Sequence, residues 1–210
     1  MLRSYSILRF LVIAALLALT VGLTIPSVQA AEGPLAPVNL RCEYLNNPLG
    51  IDVRQPRFTW ILRHTERAQL QSAYQVLVAS TLELLAQNKG DQWDSSQAAS
   101  DDSTQVVYRG KPLESDHSYW WKVRYWDKDG KASDYSRPAS FGVALLSPDD
   151  WKGKWIGGAN LLRKEITLNT KVVRARAYVT ALGYYELRIN GEKVGRNERG
   201  RRVIRLPHLS

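Results

Sequence analysis

Two adjacent carboxylate pairs, Asp101–Asp102 and Asp149–Asp150, are the residues of this chain whose types suit acid–base chemistry. Hydrolysis by two carboxyl groups, as in inverting cleavage of a glycosidic bond, needs them about 6.5–9.5 Å apart with a water between them. Neighbours on one strand point to opposite faces and cannot bracket a substrate. Both pairs also lie in loop-like sequence, QAASDDST and LSPDDWK. They read as solvated loop residues, and no catalytic residue is assigned.

Metal and cofactor chemistry fare no better. Asp127, Asp129 and Asp134 place oxygen ligands near a turn, as calcium requires, but the remaining ligand pattern is missing and a charged hairpin turn accounts for them. His64, His117 and His208 are too scattered for a metal cluster. The lone cysteine, Cys42, sits in strand-like VNLRCEYL and reads as a buried small hydrophobe. Gly191–Gly195, GEKVG, lacks the lysine–hydroxyl pair and following helix of a phosphate loop. No metal ligand and no cofactor is expected.

The aromatic residues remain. The chain has seven tryptophans, and flat aromatic faces bind sugars as well as neighbouring domains. Trp60, Trp121 and Trp151 fit core or interdomain packing. Trp120 and Trp126 share the face of their strand opposite Trp121, so they are the candidates for carbohydrate or interdomain contact.

The elements that must position these residues are strands. PRFTWIL, AYQVLVAS and SYWWKVRYWD alternate apolar and polar side chains with the period of two of a half-buried strand. In the last of these, residues 118–127, Tyr119, Trp121, Val123 and Tyr125 form one wholly apolar face. NNPLGID, RGKPL and DKDGKAS are turns between strands, and TLELLAQNKG reads as a short helical turn. Some seven short strands over residues 38–146 predict an all-β sandwich, with an antiparallel barrel as the alternative. A second β unit spans 147–195, with a two-residue hairpin turn at Asn190–Gly191. It offers three or four strands where a sandwich needs more, so it reads as incomplete.

The ends differ from the body. Arg3 and Arg9, the apolar run Phe10–Ile25 and the small-x-small site Val28–Gln29–Ala30 predict a signal peptide over residues 1–30. The run is short for a bilayer span and is followed by Pro26. A secreted or periplasmic protein with no stable membrane span after cleavage is expected. AEGPLAP, residues 31–37, reads as a linker. The formal net charge of +9 is concentrated in the leader and in the last segment, residues 196–210, which carries Arg196, Arg199, Arg201, Arg202 and Arg205 against Glu198. The body between is nearly balanced, which argues against a nucleic-acid partner. Residues 196–210 are expected to be a disordered basic tail.

VNLRCEYLNNPLGIDVRQPRFTWIL, SAYQVLVAS, YRGKPL, SYWWKVRYWDKDGKASDYSRPASF and DWKGKWIGG, in this order, resemble the N-terminal region of bacterial α-L-rhamnosidases. VVRARAYVTALGYYELRINGEKVG is similar to the opening of that family's next module. The resemblance implies a fibronectin type III-like sandwich followed by a jelly-roll-like one. It also implies a hydrolytic site with paired glutamates in a later (α/α)₆ barrel, at positions this sequence does not contain. The expectation is a truncated, non-catalytic N-terminal fragment without activity of its own. Its implied partner is a rhamnose-containing glycan or a separately encoded catalytic domain.

Overall fold

The computed structural model describes residues 33–158, 161–167, 169, 172, 175–198 and 202–205. The signal-peptide segment and His208 lie outside them. The strands are β1 (Pro34–Cys42), β2 (Arg57–His64), β3 (Gln71–Ala79), β4 (Trp93–Asp94), β5 (Ala98–Ala99), β6 (Val106–Val107), β7 (Ser118–Asp127) and β8 (Ala139–Gly142). One short helix, α1 (Leu82–Ala86), follows β3, and its first turn is capped by the Thr81 hydroxyl accepting from Leu84 N–H. Antiparallel strands β9 (Arg176–Val179), β10 (Tyr185–Ile189), β11 (Glu192–Glu198) and β12 (Arg202–Arg205) come after a 3₁₀ turn at Pro148–Asp150.

Two sheets face each other. One has the order β1-β2-β6; the other is β4-β3-β7-β8, with β5 also paired to β3. Their inward side chains meet in one core: Phe58 and Trp60 from β2, Val76 and Val78 from β3, Trp121 and Val123 from β7, and Phe141 from β8. Phe58 and Trp121 are fully buried, with ring centres 4.4 Å apart. The Trp60 indole N–H, which burial would leave costly if unmet, donates to Gln71 Oε1 at 3.1 Å. Gln71 Nε2 donates in turn to the carbonyls of Ser100 and Asp102, tying the intervening loop to β3. The expected all-β sandwich is therefore present.

Several local expectations need correction. The stretch read as linker, residues 31–37, contributes Pro34–Pro37 to β1. Proline is tolerated there because β1 is an edge strand, and register shifts between Leu35, Val38 and Arg41 absorb the missing donors. The loop 91–104 contains β4 and β5, each too short to show a side-chain period. The tail expected to be disordered is partly strand: β11 runs to Glu198, and Arg202–Arg205 pairs with Arg176–Val179. Pairing uses backbone groups, which arginine supplies as well as valine does, so alternation could not reveal it. Asn190–Gly191 makes the expected hairpin turn, with φ of 50° and 85° at its two central residues.

Candidate functional site

Strand β7 carries the candidate tryptophans, and its alternation decides where they point. Tyr119, Trp121, Val123 and Tyr125 face the core, which leaves Trp120, Lys122, Arg124 and Trp126 on the outer face of the five-stranded sheet. Opposite them on β3 stand Ala79, Leu77, Gln75 and Ala73, and the two alanines leave room for the tryptophans across from them. Trp120 is half-buried in a small second cluster with Leu77, Ala79 and Leu85, beneath α1. Trp126 lies at the other end of the strand, about 20 Å away at ~3.3 Å per residue. The structure does not bring the two rings together.

Between them runs a stack of cations and rings. The Arg124 guanidinium carbon lies 4.8 Å from the ring centres of both Trp126 and Tyr135. The Lys122 ammonium lies 4.6 Å from Tyr135 on the same face. Lys122 also donates to Asn88 Oδ1 at 2.6 Å, and burial pushes its pKa below the ordinary lysine value. Gln75 Oε1 accepts from Arg124 Nε and from the Tyr135 hydroxyl, at 2.9 and 2.8 Å, while Gln75 Nε2 donates to Asp94. The face is an aromatic and cationic array that can bind and pack. The sequence places Trp120 and Trp126 on this outer face but gives no sign of the buried Lys122, because a polar letter there normally signals solvent.

Of the other residues singled out from sequence, some are tied into turns and some are exposed. Asp150 accepts from Ser115 Oγ at 2.5 Å and from Ser147 N–H at 3.0 Å, and these bonds, the first above all, hold its carboxyl below the usual range. Asp149 is exposed beside it. Asp102 closes a tight turn with Ser100, and Asp101 is exposed. Asp127 is buried; its Oδ1 accepts from the backbone N–H groups of Asp129 and Lys131 at 3.0 and 2.8 Å, organising the hairpin turn. Asp134 is exposed. Cys42 is buried, and burial pushes its thiol pKa well up. His117 lies on the surface 3.5 Å from Glu114.

One pairing had no sequence signal. His64 Nε2 lies 3.3 Å from Asp127 Oδ2, with both side chains almost fully buried, although the residues are far apart in the chain. His64 Nδ1 accepts from Glu66 N–H at 2.9 Å, so in the neutral ring Nε2 carries the proton and donates to Asp127. Both nitrogens are committed, which leaves no lone pair for a general base. A shallow depression of about 180 Å³ opens beside this pair, lined by Leu62, Gln69, Leu70 and Tyr125 among others.

After the sandwich the chain exposes Trp155, Ile156, Leu161 and Ile166, and Leu182 between β9 and β10 is 96% exposed. These apolar side chains are left to water.

Comparison with known proteins places these features. The profile of the Rha78A-like, N-terminal immunoglobulin domain matches residues 37–147, and that of the α-L-rhamnosidase N-terminal domain matches residues 170–199. An α-L-rhamnosidase of Formosa agariphila is 40% identical over 169 residues, covering 72% of this chain and 18% of its own length. One from Streptomyces avermitilis is 43% identical over 114 residues, 54% of this chain and 11% of its own. Among solved structures, the α-L-rhamnosidase from Dictyoglumus thermophilum superposes with a TM-score of 0.73 at 37% identity, over 76% of this chain and 20% of that one. The chain thus spans about one fifth of the length of such relatives, at their N-terminal portion.

Proposed function

We propose, from the premise that the chain belongs to the Rha78A-like N-terminal immunoglobulin domain family, that it serves as a non-catalytic docking module of an α-L-rhamnosidase. The observation that carries this reading is the exposure of the apolar side chains Trp155, Ile156, Leu161, Ile166 and Leu182. In this reading the first unit, residues 38–146, is a fibronectin type III-like sandwich, and residues 147–195 belong to a jelly-roll-like one. The exposed apolar side chains close against a catalytic body that removes rhamnose from glycans. Residues 1–30 direct export, so the module works in a secreted or periplasmic protein. Among the described residues no helix is long and apolar enough to cross a membrane.

The test pairs this chain with the D. thermophilum enzyme from which its own first fifth has been removed. Alone, the chain releases no rhamnose from an aryl rhamnoside, because the adjacent pairs Asp101–Asp102 and Asp149–Asp150 cannot bracket a sugar. Mixed with that body, it forms a complex in sedimentation, and Leu182→Asp with Ile156→Asp abolishes the complex. Turnover by the chain alone, lost on mutating one of its own carboxylates, would sink the non-catalytic reading. A complex unaffected by the two charges would remove these apolar side chains from the docking role.

A second reading places a rhamnose-containing glycan on the outer sheet face. What favours it is the partly exposed Trp126 ring, stacked with an Arg124 guanidinium that Gln75 ties to Asp94. Titration of rhamnose oligosaccharides against tryptophan fluorescence, with Trp126→Ala and Trp120→Ala as controls, decides it; an unchanged signal in the parent chain ends it.

A further inference from the structure

Strand β9 is fastened to the end of the sandwich by side chains. Arg176 Nη1 lies 3.3 Å from Asp116 Oδ1, and Arg176 Nη2 donates to Ser118 Oγ at 2.5 Å. The Tyr178 hydroxyl donates to the same Asp116 oxygen at 2.5 Å. The Arg176 guanidinium fits against Gly142, where an added Cβ would stand 3.0 Å from Nη2. The remaining packing of this unit is chiefly internal, β9 with β12 and β10 with β11.

The two charges are unequally placed. The Arg176 side chain is 6% exposed and Asp116 is 54% exposed. A desolvated guanidinium needs a nearby anion, whereas a half-exposed carboxylate can be left to water at little cost. Asp116 sits in the turn before β7, at φ 59°, a left-handed position that aspartate tolerates better than most residues. Being half-exposed, it is also open to screening by salt.

We propose that Asp116 is a latch: held by Arg176 and Tyr178, it fixes β9–β12 on the end of the sandwich and releases them when its charge is removed or screened. The latch sets where the strand pair bearing the exposed Leu182 stands on the sandwich, and so rests on the docking reading for its role but not for its existence.

The test is made in the full chain. Spin labels at Arg109→Cys and Glu192→Cys, in a Cys42→Ala background, report the distance between the sandwich and β11. Trypsin cleavage after Arg176 reports exposure of the latch, with cleavage after the exposed Lys152 as the internal standard. Asp116→Asn, nearly isosteric, broadens the distance distribution and raises cleavage after Arg176 about tenfold, because it strands a desolvated cation. Arg176→Met broadens the distribution less, and the double variant matches Arg176→Met alone. Molar salt broadens the parent distribution toward that of Asp116→Asn. A distribution and cleavage rate unchanged in Asp116→Asn overturn the latch. So does a fall in the sandwich's thermal midpoint that accounts for the broadening, which would make Asp116 a folding residue. Binding to the catalytic body is scored separately, and its absence in a chain with the latch intact counts against docking only.

Discussion

The Arg124 guanidinium stands between two aromatic rings, 4.8 Å from Trp126 and 4.8 Å from Tyr135, while its Nε is held by Gln75. Arginine suits this place because its planar charge stacks on a ring and still donates sideways. Arg124→Met loses the hydrogen bond and both cation–π contacts, and should cost about 1–2 kcal/mol in urea unfolding. Arg124→Lys should recover less than half of that, since an ammonium cannot lie flat between rings.

Lys122 on the same face behaves differently. Burial lowers its pKa, so the unfolded chain binds this proton more tightly than the folded one. Stability therefore rises with pH from the lowered folded value up to the ordinary 10.5. Lys122→Met should flatten that rise and leave stability at neutral pH within ~1 kcal/mol of the parent, or above it. Denaturant melts across alkaline pH measure both.

Glu43 supplies the acid counterpart. Its carboxylate accepts from Arg57 Nη2 and from Arg57 N–H, each at 2.7 Å, across the β1–β2 pair. The Arg57 hydrogen bond, chiefly from its side chain, holds the Glu43 carboxyl below its ordinary 4.5. The stability it contributes is fully present above that value and is lost as pH falls through the lowered folded one. Glu43→Gln should lower the melting temperature at neutral pH and reduce the loss of stability between those two values.

Trp121 tests the core. It is fully buried against Phe58, and Trp121→Ala should cost about 3–5 kcal/mol through lost burial and the cavity left behind. A loss under ~1 kcal/mol in denaturant unfolding would mean that the inward face of β7 has been assigned wrongly.

Sequence alone determined the sheet faces. A period of two over residues 118–127 sends Trp121 inward and Trp120 and Trp126 outward whatever the strand pairs with, because backbone pleating sets it locally. The Asn190–Gly191 turn was legible for the same reason: positive φ is a property of the residue and its neighbours. The Arg202–Arg205 strand was not legible, since its evidence is the backbone of Arg176–Val179 and not any side-chain pattern of its own. Nor were the partnerships that define the candidate sites. Lys122 under Tyr135, His64 against Asp127 and Asp116 between Arg176 and Tyr178 each join residues from separate strands or turns. The chain specifies which way each side chain leaves its own strand, but only sheet register and the approach of β9 to the sandwich decide what it meets there.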